Sequence, residues 1–189
     1  MRRSLGLSLA LVSVLGIAGA TLANGGHGNP SYGNHGHGRH DSRRTLLAFG
    51  TMFGVDGAFV GDTNPVDGIP GDELPWEIAF ARGRLAADGD LHLVVRGVVF
   101  KDDPSVPPEL RGINDEAEFR AALSCLTEDG TGGVVRQNVT SAGFPANEHG
   151  DSVIHTHLTL PDPCIAPALF VLAGSEDKWF AVTGFETGE

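Results

Sequence analysis

Beyond residue 44 the chain is a succession of short apolar runs, most of them alternating with polar residues, divided by turns of Gly, Pro and Asp. Alternation with a period of two predicts strands that bury one face and expose the other. The first apolar segment runs from Leu46 to Phe53. A long loop dense in turn residues, GVDGAFVGDTNPVDGIPGDELP, fills 54–75. Trp76, Ile78 and Phe80 then alternate with Glu77, Ala79 and Ala81. After a turn centred on Asp88-Gly89, Leu91, Leu93, Val95 and Val99 alternate with His92, Arg96 and Phe100. The stretches 76–86 and 91–100 therefore read as a β-hairpin.

Residues 101–115 are rich in Pro and Asp and predict a loop. The next stretch admits two readings. Asn114-Asp115-Glu116 could cap a helix through FRAALSCL, while Phe119, Ala121, Leu123 and Cys125 alternate as a strand does. The strand is the expectation, entered by a short helical turn. Further strands are expected at Val134–Ser141, at Ser152–Leu160 with Ile154, Thr156, Leu158 and Leu160 on one face, at Ala168–Ala173 and at Trp179–Phe185. About eight strands at short spacing, without long amphipathic helices, predict an all-β fold, a single antiparallel β-sandwich over residues 45–189.

The N-terminal pattern differs. Arg2 and Arg3 precede an apolar run, Leu5 to Ala20, and small residues follow with Thr21 and Ala23 at −3 and −1 of a cut. Residues 1–23 thus read as an export signal, with a cut after Ala20 as the alternative. The localisation expected is secreted or extracytoplasmic, with no membrane attachment after signal removal. Residues 24–44, NGGHGNPSYGNHGHGRH and its continuation, hold almost nothing apolar and are expected to form a disordered Gly/His-rich tail.

Composition then limits the partners. The whole chain of 189 residues carries −11, and residues 45–189 hold 8 basic against 23 acidic residues, a net −15. That balance argues against nucleic acid or an anionic membrane as partner and leaves metal ions or an extracellular protein open. The two cysteines, Cys125 and Cys164, are an even pair in an oxidising compartment and predict a disulfide.

Candidate chemistry is sparse. His27, His35, His37 and His40 lie in the tail, spaced by Gly, and imidazoles on so flexible a chain can converge on Zn²⁺, Cu²⁺ or Ni²⁺. His155 and His157 stand two apart on a predicted strand, so both rings share the solvent face, and His92 or His149 could complete a site if the fold brings it there. Asp56, Asp62, Asn64, Asp67, Asp72 and Glu73 crowd the 54–75 loop. Val66 and Asp67 stand where a calcium loop needs an oxygen ligand and Gly, so Ca²⁺ is not expected. GxSxG is absent, Ser124, Ser141 and Ser152 have no signalled base, and no catalytic residue is assigned. The function expected is an exported acidic module with a binding or structural role, the alternative being a metal-binding protein that uses the His-rich tail.

The second half resembles a family of small secreted bacterial proteins of unassigned function. The resemblance rests on Leu74-Pro75-Trp76, Phe119-Arg120-Ala121, Ser124-Cys125, Phe144-Pro145-Ala146, Leu160-Pro161, Cys164-Ile165-Ala166-Pro167 and Trp179-Phe180-Ala181-Val182-Thr183-Gly184-Phe185. It implies a small β-sandwich with a Cys125–Cys164 bridge and carries over no catalytic residue.

Overall fold

Leu91, Leu93 and Val95 are fully buried while their neighbours His92 and Arg96 are exposed, so the alternation read in the sequence is realised in space. The computed structural model describes residues Arg44–Phe185. The expected signal peptide, and the tail up to residue 43, lie outside the described residues.

Twelve strands form in chain order: β1 Thr45–Phe49, β2 Met52–Gly54, β3 Trp76–Glu77, β4 Phe80–Ala86, β5 Asp90–Arg96, β6 Val99–Phe100, β7 Glu118–Glu128, β8 Val134–Thr140, β9 Phe144–Pro145, β10 Ser152–His157, β11 Ile165–Ala173 and β12 Trp179–Thr183. The strands pair antiparallel with one another. One sheet has the order β1-β4-β5-β10. A second runs β2-β12-β11-β7-β8, with β9 also on β7, and β3 pairs with β6 as a two-stranded extension. The inward residues of both large sheets, Leu85, Leu93 and Ile154 from one and Leu123, Leu169 and Phe180 from the other, join one core. The fold is an all-β antiparallel sandwich, as expected.

The strand count is higher than the eight expected, because three apolar stretches each break in two and the short strand β9 is an addition. Leu46–Phe53 divides at Gly50 into β1, which pairs with β4, and β2, which pairs with β12 in the other sheet. The predicted hairpin forms, but each arm breaks near its open end, at Ile78-Ala79 and Gly97-Val98. There Gly97 takes a φ of 64° and the Ala79 amide donates to the Arg96 carbonyl. The outer pieces are β3 and β6. Residues 118–128 are strand over their whole length. β7 is hydrogen-bonded on one side to β11 and on the other to β8 and β9, which leaves a helix no place.

Two aromatic groups lie on opposite sides of β12. Phe180 stacks on Trp76 with ring centres 3.9 Å apart and meets Phe119 edge-on at 5.8 Å. Its neighbour Trp179 points to the other side, where it meets Phe170 and Phe59. Phe59 belongs to the 54–75 loop, which therefore covers the outer side of the larger sheet. Trp179 N donates to the Pro70 carbonyl at 3.0 Å, and Asn138 of β8 donates to the Asp67 carbonyl at 3.1 Å. On the smaller sheet, Gly83 makes room for an inward ring. A Cβ there would stand 2.1 Å from Phe49 Cζ, and Phe49 is the residue paired with it across β1.

Cys125 of β7 and Cys164, just before β11, are joined with Cα atoms 5.0 Å apart. The bond closes a loop of 39 residues that contains the hairpin partner β8 and all of β10. Cross-linking a loop of that length stabilises the fold by about 4 kcal/mol on the chain-entropy model. The paired variant Cys125→Ala/Cys164→Ala is expected to keep its β-type circular dichroism and lose about 4 kcal/mol in urea unfolding. A loss under about 1 kcal/mol would show that the strand ladder alone holds this loop.

Candidate functional site

Among the described residues, no loop covers the outer side of β1-β4-β5-β10 as the 54–75 loop covers the larger sheet. Alternation places Phe80, Arg82 and Arg84 of β4, Asp90, His92, Val94 and Arg96 of β5, and Val153, His155 and His157 of β10 on this side. Register sets them in rows across the strands. Ala48, Arg84, His92 and His155 form one row; Arg82, Val94 and Val153 the next; Phe80 stands opposite Arg96, and Asp90 opposite His157. Phe80 and Val153 are 46% and 56% exposed, and they flank the arginines. A shallow depression of about 470 Å³ runs between Phe80, Arg82, Arg84, His92, Val94 and Arg96.

Electrostatically this face stands apart. Five of the eight basic residues of the domain lie elsewhere, and each is paired with acid. Lys101 pairs with Asp56, Arg111 with Asp102 at 3.5 Å, Arg120 with Asp177 at 3.0 Å, Arg136 with Asp67 at 2.8 Å, and Lys178 with Glu73 and Glu176. The remaining three are Arg82, Arg84 and Arg96, all on the open face. Arg84 Nε donates to Thr45 Oγ1 at 2.9 Å. Arg82 and Arg96 form no ion pair among the described residues. The acidic member of the face, Asp90, is engaged by His157 Nδ1 at 3.0 Å.

The histidines sort themselves by position. His155 and His157 lie exposed on one face, as the i, i+2 spacing requires. His92 is brought against His155, with ring centres 5.7 Å apart. His149 is not: it sits in the turn before β10, with Glu148 as its neighbour. His27, His35, His37 and His40 lie outside the described residues.

The acidic 54–75 loop does not gather its oxygens around one point. Asp56 caps the 3-10 turn Gly57–Phe59 and pairs with Lys101, Asp67 pairs with Arg136, and Asp72 accepts from Trp76 Nε1 at 2.8 Å. These carboxylates pin the loop to the strands. Asp72 and Glu73 do converge with Glu176 within 4.8 Å. The Lys178 ammonium lies among them, 3.1 Å from Glu176 and also paired with Glu73, so the charge is met by the protein itself. Desolvation, and then the charges of Asp72, Glu116 and Asp62, push the Glu176 carboxyl above its ordinary range.

The three serines considered for catalysis are all engaged. Ser124 Oγ accepts from Arg136, and Ser141 and Ser152 donate to the carbonyls of Ala142 and Pro145. The residues that sequence reasoning missed are Phe80, Arg82, Arg84 and Arg96. Their signal was present in the outward positions of FARGR and LHLVVR, where all but Val94 are basic or aromatic. No family model, curated protein or solved structure matches the chain.

Lys178→Met removes the cation from among three carboxylates. It is expected to cost about 1 kcal/mol of stability at pH 7, because Glu73 and Glu176 are exposed and screened by water. In that variant the folded state holds carboxyl protons more tightly than the unfolded chain, so the deficit shrinks as pH falls through the carboxylate range. Urea unfolding at pH 7 and pH 4 measures it, and a deficit of equal size at both values contradicts the assignment.

Proposed function

We propose that this protein is an exported, non-catalytic binding module that docks a carboxylate-rich extracellular protein on the outer face of β1-β4-β5-β10. One observation carries the reading. In a domain of net −15, Arg82 and Arg96 stay exposed and without an acidic partner among the described residues, beside Arg84, while the five other basic residues are each paired. An unneutralised arginine on so acidic a domain is at hand for an external anion. The guanidinium fork matches the two oxygens of a carboxylate, which favours Arg over Lys for that task. Phe80, Val94 and Val153 add apolar contact between the charges, and aromatic and Arg side chains are the ones that dominate protein interfaces.

Export is supported by the N-terminal signal pattern and by the Cys125–Cys164 bond, since disulfides persist in oxidising compartments. Among the described residues no helix is long and apolar enough to cross a membrane.

The test uses a fluorescent oligo-glutamate peptide as the carboxylate probe. Binding is expected at low ionic strength and should weaken as salt screens the face. The charge reversal Arg82→Glu/Arg96→Glu is expected to lower affinity at least tenfold with urea stability unchanged, because both side chains are exposed. Failure to bind at low salt, or equal binding by the reversed variant, would overturn the reading.

A further inference from the structure

We infer that Asp90, His92, His155 and His157 form a binding site for a transition-metal dication of the Zn²⁺, Cu²⁺ or Ni²⁺ type on the outer face of the four-stranded sheet. The inference stands on the side-chain lattice of β5 and β10 and is independent of the docking partner proposed above. In the register, His92 is directly opposite His155, and Asp90 is directly opposite His157. Four residues of metal-ligating type thus occupy four adjoining positions on one side of two paired strands.

The first pair is already close to the geometry needed. Two imidazoles that share one tetrahedral Zn²⁺, at about 2.1 Å per bond, bring their ring centres to roughly 5 Å. The rings of His92 and His155 are 5.7 Å apart, at 62° to one another. A small χ adjustment on an exposed face closes the difference. His157, whose ring lies beside the Gly89 turn, supplies the third nitrogen once it rotates toward that pair. It is two residues along β10 from His155, about 7 Å at Cα, and side chains at i and i+2 project to the same side.

Asp90 completes the arrangement in a different role. Its Oδ1 lies 3.0 Å from His157 Nδ1. A carboxylate on one ring nitrogen fixes the tautomer and leaves Nε2 as the metal-facing atom, the usual support for a ligating histidine. Arg84 stands in the row with His92, and its Nε donates to Thr45 Oγ1 on β1. A depression of about 400 Å³, lined by Arg84, Asp88, Asp90, His92 and His155, opens these side chains to solvent for entry of an ion and for a water as a fourth ligand, while His157 borders the neighbouring depression of about 490 Å³. Nitrogen-rich donors select this group of ions over Mg²⁺ or Ca²⁺, which require oxygen.

The tail histidines would confuse a titration, so the reference protein is the full secreted chain with His27, His35, His37 and His40 all changed to Ala. Isothermal calorimetry with Zn²⁺ alone is expected to give one site per chain. His92→Ala and His155→Ala should each weaken it at least tenfold, and Asp90→Asn by about 10–100-fold, as for a residue that orients a ligand. His149→Ala should leave it unchanged, and Co²⁺ loaded in place of Zn²⁺ should show visible bands of a nitrogen-ligated tetrahedral site. All four side chains are exposed, so unchanged circular dichroism verifies the fold of each variant. Absence of Zn²⁺ binding up to millimolar metal, or binding that survives both His92→Ala and His155→Ala, would overturn the assignment.

Discussion

The burial of Leu91, Leu93 and Val95 against the opposite sheet is the constraint on which the rest depends. A strand cannot bury three alternate side chains without turning the intervening ones outward. Once those three are in the core, His92, Val94 and Arg96 must face water. Register carries the same decision across the sheet. Leu85 and Ile154 go inward, and Arg82, Arg84, His155 and His157 go outward with their neighbours. A slip of one residue would exchange the two sets, placing arginines in the core and leucines in water, which no packing could repair. The exposed face is therefore as tightly specified as the core.

The two sheets use their outer sides differently. The larger one is closed by the 54–75 loop, whose acidic residues meet Lys101, Arg136 and Lys178 and whose Phe59 meets Trp179. Three of the loop's carboxylates, Asp56, Asp67 and Glu73, are neutralised there. Among the described residues no loop covers the outer side of the smaller sheet, which carries Arg82, Arg84 and Arg96. Charge is thus segregated within one domain: a net negative body with a positive, partly apolar face. The disulfide belongs to the same scheme, since the bond between β7 and the start of β11 holds the segment that includes β10, one of the strands that build the open face.

Much of the fold was legible in the sequence because alternation is a local signal. The hairpin around Asp88-Gly89, the strands at 152–157 and 168–173, and the cysteine pair all follow from nearest neighbours and spacing. The breaks at Gly50, Ala79 and Gly97 were not legible, because a strand that changes sheets looks like a continuous apolar run until its partners are known. The site was half legible. The shared face of His155 and His157 follows from their spacing, but the meeting of His92 with His155 depends on cross-strand register. The arginine face was hidden by the net charge, since a sum over the chain says nothing of where the few cations stand. Arg82, Arg84 and Arg96 were legible only as polar positions of two strands.

The central claim is that this open sheet face, and not the acidic loop, is the surface that meets a partner. The most direct measurement is a ¹H–¹⁵N correlation titration of the protein with oligo-glutamate, which reports each backbone amide and the arginine Nε groups. The account predicts shifts concentrated in β4, β5 and β10, led by Arg82 and Arg96, with the 54–75 loop and β8 unmoved. Shifts centred on the 54–75 loop or β8, or a spectrum that does not change, would contradict it.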